Sequence, residues 1–316
     1  MSTEATASVM GTTAHVIVRG GGDADACVEQ LRRLERRWSR FIDHSELSRI
    51  GRLDGSPAVV SFETALLIDR SVEAWRRTGG LFDPTMLDRL EVAGYDRSFE
   101  LLESSSPEKV DLSTHVEHGA PAMHSWAPLI ESDLATRMVR LPPGTRLDPG
   151  GIGKGLAADL GACRTVAHGA DGALVSVGGD LRVAGTPPAD GWEIELDHHV
   201  VEPARLNLRD GAVATSTRLR RRWRTSHGVA HHVIDPRTGR PSEGPAVGVS
   251  VVAGDACWAE AIATAVLVGF GTPGFEDIEV DLLAGAGALV TTADRRQHRL
   301  GPLGSAFLVS DRELVR

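Results

Sequence analysis

Apolar residues recur at every third or fourth position in two early stretches of the chain, and this spacing predicts two amphipathic helices. The first helix is predicted over about residues 24–41 and the second over about residues 62–78. The second should end at Gly79-Gly80, because glycine readily adopts the left-handed conformation that terminates helices. A short apolar run at residues 15–19 precedes the first helix and predicts a strand.

Beyond residue 148 the pattern predicts two further helices, which run from the glycines after Asp148 to about residue 166 and over about residues 256–268. Short apolar runs predict strands at residues 173–177, 181–184, 192–196, 204–208, 211–215, 229–234, 247–252, 287–291 and 306–309. These strands and helices do not alternate regularly. We therefore expect an α+β fold of mixed sheets with flanking helices, and not a doubly wound one.

Composition places the chain among globular proteins, because 41% of its 316 residues are hydrophobic and 24% are charged. We expect a single domain over residues 1–316, with a loop-rich insertion at about residues 98–124, where Ser, Glu, His and Pro are frequent. No apolar run approaches the ~20 residues that cross a bilayer, and residues 1–8 lack the pattern of a signal peptide. The sequence therefore predicts a cytoplasmic protein without a membrane span.

Charge and cysteine content narrow the function further. The net charge of −9 argues against nucleic acid as the main partner, because phosphate binding needs a strong positive footprint. The three cysteines lie far apart without CxxC spacing, which indicates neither a disulfide framework nor a zinc site. One basic run stands out, with five arginines among residues 218–224. It is either a solvated face or a patch for an anionic ligand or an acidic partner protein.

The most informative segment is Asp148-Pro-Gly-Gly-Ile-Gly-Lys-Gly, at the start of a predicted helix. It is not a P-loop, because Lys154 is followed by Gly155 and not by Ser or Thr, and it lacks the third glycine of a Rossmann fingerprint. Glycines allow close approach to the backbone, and a helix N-terminus with a lysine attracts anions. The segment is therefore a candidate phosphate or pyrophosphate cradle. The alternative is a tight turn with a surface lysine.

Two other places carry candidate chemistry. Glu260 and Thr264 lie four residues apart in a predicted helix, so both face one side and are able to offer oxygen ligands to Mg²⁺. A Glu near a helix start and a Thr that bonds to the preceding turn are the simpler explanation. His232, at the end of a predicted strand, is either a general base or a histidine held by the following turn. Asp197-His198-His199 has no third metal ligand at a sensible spacing.

In this order, the segments resemble the motifs of the ApbE family of flavin transferases, the FAD:protein FMN transferases. The similarity covers about residues 10–268, which is nearly the whole chain. The matching motifs are Met10-Gly-Thr, Ser45-Glu-Leu-Ser-Arg-Ile, Gly80-Leu-Phe-Asp-Pro-Thr, Gly94-Tyr95, residues 147–159, Val175-Ser-Val-Gly-Gly-Asp, Ala214-Thr-Ser, residues 232–241 and residues 259–265.

The resemblance implies an ApbE-like, T-fold-like architecture and an Mg²⁺-dependent enzyme. FMN would pass from FAD, the substrate, to a Thr or Ser hydroxyl of an acceptor protein, and AMP would be released. His232 would activate the hydroxyl. The implied Mg²⁺ ligands are Glu260, Thr264 and the carbonyl of Gly151. The implied FAD-binding residues are Met10, Phe41, Leu81, Phe82, Asp83, Asp148 and Lys154, with Asp159 nearby.

The chain departs from the family pattern at four positions. Glu260 stands where the family has a metal-binding Asp, and Gly51 replaces the usual Asn. Thr217 replaces a glycine and leads into the arginine run, and Ala93 replaces an aromatic residue that often precedes Gly94. Two alternatives to protein flavinylation stay open: hydrolysis of FAD to FMN and AMP, and non-catalytic FAD binding.

Overall fold

The computed structural model describes residues 2–99, 125–225, 228–307 and 314–315. Most of the predicted insertion therefore lies outside the described residues. The helices are α1 (Ala24–Trp38), α2 (Glu46–Gly51), α3 (Phe62–Arg77), α4 (Leu87–Val92), α5 (Gly153–Ala167), α6 (Ala256–Gly269) and α7 (Phe275–Leu282), with 3-10 turns at Ala127–Leu129 and Gly304–Ala306. The longest described helix, α3, has 16 residues, and no helix in these ranges is both long and apolar enough to cross a bilayer.

Within the described ranges, the strands form five sheets. They are β1 (Ser2–Val9), β2 (Thr12–Gly20), β3 (Ala58–Val59), β4 (Glu131–Asp133), β5 (Met138–Arg140), β6 (Ala170–Val177), β7 (Asp180–Gly185), β8 (Trp192–Leu196), β9 (Ala204–Leu208), β10 (Gly211–Thr217), β11 (Arg222–Thr225), β12 (Gly228–His231), β13 (Ile234–Asp235), β14 (Arg240–Pro241), β15 (Ala246–Ala253), β16 (Gly287–Thr292), β17 (Gln297–Leu300) and β18 (Leu314–Val315). This mixture of helices and sheets confirms the predicted α+β class.

The chain divides into two compact units. The first comprises Met1–Arg36, Gly150–Thr217 and Gly244–Arg316, and the second comprises Arg37–Pro149 and Arg218–Glu243. The expectation of a single domain over residues 1–316 stays a prediction.

The first unit is built on a sheet with the order β1-β2-β6-β7-β10-β15-β16-β17-β18. Neighbours are antiparallel except β17 and β18. Helices α5 and α6 pack on the middle strands, among them β6, β7, β10 and β15. Apolar side chains of the β8–β9 hairpin form a core cluster with residues of the same sheet, including Val213 and Val252. Apolar residues from both the helices and the hairpin thus bury the middle of the sheet, which explains the continuous apolar character of β15.

Glycine allows α5 and α6 to approach closely. A Cβ built on Gly155 would lie 2.3 Å from the carbonyl oxygen of Ala256, at the start of α6. No side chain fits at that distance, so the glycine is required by packing as well as by the turn before it. This contact brings Lys154 on α5 into the same region as Glu260 on α6, and it therefore creates the polar cluster described below.

The second unit contains helices α2, α3 and α4, a small sheet with the order β3-β5-β4, and the hairpins β11–β12 and β13–β14. Serine side chains start two of the helices: Ser45 Oγ accepts a hydrogen bond from Ser48 N at 3.0 Å, and Ser61 Oγ accepts one from Thr64 N at 3.3 Å. An apolar cluster around Met86, Leu90 and Tyr95 forms the core on which the β11–β12 hairpin packs through Trp223.

Several sequence expectations need correction. The first helix ends at Trp38 and not at residue 41, and the strand predicted at residues 229–234 is interrupted, because β12 ends at His231 and β13 starts at Ile234. The predicted strand at residues 306–309 is wrong at its start, where Ala306 belongs to a 3-10 turn; residues 308–309 lie outside the described residues. Strand β1 was not predicted, because its side chains are mostly polar and exposed.

Buried hydroxyl groups surround the ring of His198, which lies in the core and not on the surface. Its Nδ1 lies 2.6 Å from Thr291 Oγ1, and its Nε2 lies 2.8 Å from Ser250 Oγ, which in turn lies 2.7 Å from Thr215 Oγ1. Burial lowers the pKa of His198 to about 4 from its usual value of 6.5. The ring is therefore neutral in the folded protein near neutral pH.

This network makes stability depend on pH. Between about pH 6.5 and about pH 4 the unfolded state binds a proton at His198 that the folded state does not, so the free energy of unfolding should decrease as pH falls. The shift corresponds to about 3 kcal/mol. We expect His198→Gln to lack this part of the pH dependence in urea unfolding. His231 and Asp159 titrate in the wild-type protein and in the variant alike. If the free energy of unfolding depended on pH identically in the two proteins, the assignment to His198 would be contradicted.

Candidate functional site

A buried polar cluster in the first unit brings together a lysine and two carboxylates. Lys154 Nζ donates a hydrogen bond to Asp180 Oδ2 at 2.6 Å and a second, very short one to Glu260 Oε1. Glu260 Oε2 accepts a hydrogen bond from Gly155 N at 2.8 Å, and Asp180 Oδ1 accepts one from Thr215 N at 3.1 Å. Both carboxylates are 2% exposed, so their charges depend on these donors.

The charges in this cluster do not balance. Burial lowers the pKa of Lys154, but the two neighbouring carboxylates outweigh that effect and raise it above its ordinary value. Burial, followed by the charge of Asp180, raises the pKa of Glu260 against the opposing effects of Lys154. One ammonium group thus faces two carboxylates, and the cluster stabilises additional positive charge, whether a proton or a cation.

Two hydroxyl groups belong to the same unit, and one of them, that of Thr264, lies one helical turn after Glu260 on α6. Thr264 Oγ1 is 3.1 Å from Ser216 Oγ, which β10 supplies. Carboxylate and hydroxyl oxygens are the hard ligands that Mg²⁺ prefers. Among the described residues no three His, Cys, Asp or Glu side chains form a metal-binding group, and the ammonium of Lys154 contacts both carboxylates. The donor chemistry fits Mg²⁺, provided that the ion competes with Lys154.

Asp159, which the sequence associates with FAD, is bound to the start of α6. Its two oxygens accept hydrogen bonds from Ala256 N at 2.8 Å and Cys257 N at 2.9 Å. Burial raises the pKa of Asp159 to about 6, against the effect of these two amides. The contacts show that Asp159 fixes the first turn of α6, the helix that carries Glu260.

Met10 occupies the tight turn between β1 and β2. Met10 and Gly11 have φ values of 55° and 63°, as a two-residue hairpin turn of the primed type requires. Met10 N donates a hydrogen bond to Glu35 Oε1 at 2.7 Å, which ties the turn to α1. Gly151 lies just before α5, in the turn that starts the glycine-led segment.

In the second unit, the Phe82-Asp-Pro-Thr turn holds a buried carboxylate. Asp83 Oδ1 accepts hydrogen bonds from Thr85 N at 2.8 Å and Thr85 Oγ1 at 2.6 Å. Asp83 Oδ2 is buried and has no hydrogen-bond partner among the described residues. A buried carboxylate oxygen without a donor is costly, so Oδ2 is available to accept a hydrogen bond from a water molecule or a ligand. Leu81 and Phe82 are also buried beside it.

Asp148 is attached to the same turn, because its backbone N donates to Pro84 O at 2.9 Å. Its carboxylate lies 3.3 Å from Arg40 Nε. The guanidinium of Arg40 lies over the ring of Phe41, 4.2 Å from the centroid. Phe41 is 43% exposed, so part of its ring is open to a planar ligand.

An aromatic group completes this region of the second unit. Tyr95 lies 6.1 Å from Phe41 and is stacked on Trp223 at 5.5 Å between ring centroids. Trp223 Nε1 donates to the carbonyl oxygen of Ala93 at 2.6 Å. Trp223 comes from the arginine run and was not singled out by the sequence. This contact places the indole of Trp223 beside residue 93, where the chain has an alanine in place of the aromatic residue that is common in the family.

His232 and its neighbour His231 differ in their surroundings. His231 Nε2 lies 3.0 Å from Ser242 O, its Nδ1 accepts from Val233 N at 3.3 Å, and burial lowers its pKa to about 4. His232 is half-buried at the bend after β12. Asp235, an alternative base, forms an ion pair of 2.8 Å with Arg237. His231 is thus held by the fold, and His232 is the more accessible histidine.

The sequence identified Lys154, Glu260 and Thr264 but gave no role to Asp180 or Ser216. Their motifs, a Gly-Gly-Asp turn and an Ala-Thr-Ser strand, were visible, yet nothing local indicates that these strands meet α5 and α6. Similarly, no spacing rule connects Trp223 with Tyr95, since the contact is made by residues far apart in sequence.

The architecture defines the class of this protein as an α+β protein with the fold of ApbE proteins. The structure matches the crystal structure of an ApbE protein from Thermotoga maritima with a TM-score of 0.81 and 25% identity, over 98% of this chain and 100% of that chain. The chain belongs to the ApbE family, whose family model matches residues 10–275. The resemblance seen in the motifs is thereby confirmed.

Two curated relatives carry the name FAD:protein FMN transferase. The one from Treponema pallidum is 29% identical over 291 residues, which cover 82% of this chain and 76% of the relative. The one from Chlamydia trachomatis is 32% identical over 234 residues, which cover 70% of this chain and 67% of the relative. The relatives are thus transferases that share most of their length with this chain.

Proposed function

We propose that this protein is an FAD:protein FMN transferase, which moves FMN from FAD to a Thr or Ser hydroxyl of an acceptor protein and releases AMP. The observation that carries the proposal is the buried cluster of Lys154, Asp180 and Glu260, which lacks one positive charge and has the Ser216–Thr264 hydroxyl pair in the same unit. The excess negative charge of the cluster favours a bound cation. The bound cation in turn attracts the negatively charged pyrophosphate.

Mg²⁺ would be held by Glu260, Thr264 and the carbonyl of Gly151, the ligands that the family resemblance implies. When bound, the ion withdraws charge from phosphate oxygens. Lys154, freed from one carboxylate, would contact the pyrophosphate as a point charge. Asp159 would act through the helix that it caps, by holding Glu260 in position.

In the second unit, the resemblance implies further residues for FAD and for the acceptor. Phe41 would offer its exposed ring to a planar group, and Asp83 would accept a hydrogen bond through Oδ2. His232 would take the proton from the acceptor hydroxyl. The hydroxyl oxygen then attacks the phosphorus on the FMN side, the P–O bond of the pyrophosphate breaks, and AMP leaves with the electron pair.

Hydrolysis of FAD to FMN and AMP with water, and FAD binding without catalysis, are the two alternatives to transfer. Incubation with FAD and Mg²⁺ separates these three activities. Transfer releases AMP only when an acceptor is added, hydrolysis releases AMP without one, and a binding protein releases none. We expect AMP release that depends on a protein extract, together with FMN on a Thr or Ser detected by mass spectrometry. AMP release in equal amounts without the extract would favour hydrolysis. The cytoplasmic location stays a prediction.

A further inference from the structure

The arginine run forms an exposed basic face on the second unit. Arg220, Arg222 and Arg224 are exposed, whereas the residues between them are half-buried. From Arg222 onwards this alternation follows from the extended backbone of β11, in which successive side chains point to opposite sides. We call Arg222 and Arg224, which both belong to β11, the arginine face.

The opposite side of β11 is anchored. Trp223 stacks on Tyr95 and donates its Nε1 hydrogen bond to Ala93 O at 2.6 Å. The indole lies so close to Gly94 that a Cβ there would be 2.8 Å from Nε1. Because these contacts fix the strand, the directions of its exposed side chains are set before any partner binds. Preorganisation of this kind reduces the entropy lost on binding.

Within the part of the chain that the structure describes, no ion pair neutralises Arg222 or Arg224. Among the described residues, no carboxylate lies within 4.0 Å of Arg222 or Arg224, whereas surface arginines such as Arg146 and Arg205 form ion pairs with neighbouring carboxylates. Burial and then the charge of Arg222 lower the pKa of Arg218, against the nearby Glu243. In a chain with a net charge of −9, this concentration of positive charge requires a specific explanation.

The arginine face adjoins the proposed base. Arg222 is paired across the hairpin with His231, the residue before His232, and Arg224 is paired with Val229. Val229 is 56% exposed, so an apolar side chain is available beside the charges. A segment bound here would therefore lie next to the strand that leads to His232.

We propose that the arginine face binds an acidic segment of the acceptor protein, next to the residue that receives FMN. This inference rests on the proposed function and specifies its substrate. Side chains two residues apart on an extended chain are separated by about 6.8 Å. An extended segment with acidic residues at alternate positions would therefore pair with Arg222 and Arg224. Nucleic acid needs a broad positive footprint, which a chain with a net charge of −9 and two unneutralised arginines does not offer, so a short protein segment is favoured.

Binding of synthetic peptides tests this inference without FAD. One labelled peptide carries a Thr with Asp and Glu at alternate flanking positions, and its match carries Asn and Gln in their place. We expect the acidic peptide to bind about tenfold more tightly at low salt, as two exposed ion pairs allow. Arg222→Gln with Arg224→Gln should abolish this difference. Equal affinity of the wild-type protein for both peptides would overturn the inference, as would tighter binding of a labelled single-stranded oligonucleotide.

A matched control removes two exposed arginines elsewhere. Arg32 and Arg36 lie on α1 and contact Glu29, so Arg32→Gln with Arg36→Gln should keep the preference for the acidic peptide. If this control variant lost the preference equally, the effect would be one of net charge, and the inference would be wrong. The double variant Arg222→Glu with Arg224→Glu should prefer a peptide in which Lys flanks the Thr. If it showed no such preference, the inference would also be contradicted.

The proposed function is tested separately, by FAD binding and AMP release. The double Gln variant should still bind FAD as the wild-type protein does, because neither arginine is placed among the FAD-binding residues. Loss of peptide discrimination with intact AMP release would leave the transferase proposal standing. Peptide discrimination without any AMP release would leave only the binding of an acidic peptide standing, because it would remove the transferase and with it the acceptor as the ligand.

Discussion

Replacing His232 with asparagine should slow FMN transfer by about 100-fold to 10,000-fold, the usual contribution of a positioned general base, with little loss of FAD affinity. Asparagine fills part of the same space but does not take a proton from the acceptor hydroxyl. His232 is half-buried at the bend after β12, so the substitution leaves the strand pairing of the hairpin intact. Transfer rates and FAD titrations on the same protein preparation would measure the two effects.

His231 provides the control for this experiment. The sequence alone predicts that His231→Asn is mild, because adjacent strand residues face opposite sides. The structure changes this expectation, because His231 is buried and its ring contacts Ser242 O and Val233 N. We therefore expect His231→Asn to lower the free energy of unfolding by about 1–3 kcal/mol. Its rate per folded molecule should stay close to wild type.

The two substitutions thus separate chemistry from structure. If His232→Asn lost FAD binding in proportion to its activity, the histidine would be structural. Asp235 would then be the next candidate base, although its carboxylate is bound to Arg237. The transfer rate of the wild-type protein should also fall at low pH, because a protonated imidazole does not accept a proton.

The spacing of apolar residues predicts helices and strands closely where it is regular over the whole element. Strands β8 and β9 match the predicted bounds, and α3 differs by one residue, because their apolar positions alternate or recur without interruption. The short helices α2, α4 and α7 were not predicted, since six to eight residues contain too few turns to show a period. Strand β1 is a polar edge strand whose pairing with β2 has no local signature.

The sequence predicts residues of the candidate site but not which of them contact one another. Sequence patterns assigned Lys154 to a phosphate and Glu260 to a cation, as two separate hypotheses. The structure brings them together through Gly155, whose missing side chain allows α5 to contact the start of α6. Asp180 joins them from the first position of β7. Such long-range contacts depend on the packing of the sheet and are not encoded in any short segment.

This pairing leads to the second major prediction, which concerns Mg²⁺. Glu260→Gln keeps the size of the side chain but removes the charge that exceeds the ammonium of Lys154. We expect Mg²⁺ affinity, measured by calorimetry without FAD, to fall by at least about 100-fold, because residues that only support metal ligands already contribute about 10-fold to 100-fold. Lys154 still pairs with Asp180 in this variant, so the protein should remain folded. Unchanged Mg²⁺ binding would refute the metal assignment of Glu260.

Lys154→Met should have the opposite effect on Mg²⁺, because it removes the cation that competes for Glu260 and Asp180. We expect Mg²⁺ to bind about tenfold more tightly without FAD, and FAD to bind more weakly while riboflavin, which lacks the pyrophosphate, is little affected. Combining Lys154→Met with Glu260→Gln leaves the single unbalanced negative charge of the wild-type cluster. Mg²⁺ affinity should then lie between those of the single variants. Weaker Mg²⁺ binding in Lys154→Met alone would show that Lys154 organises the carboxylates and does not compete for them.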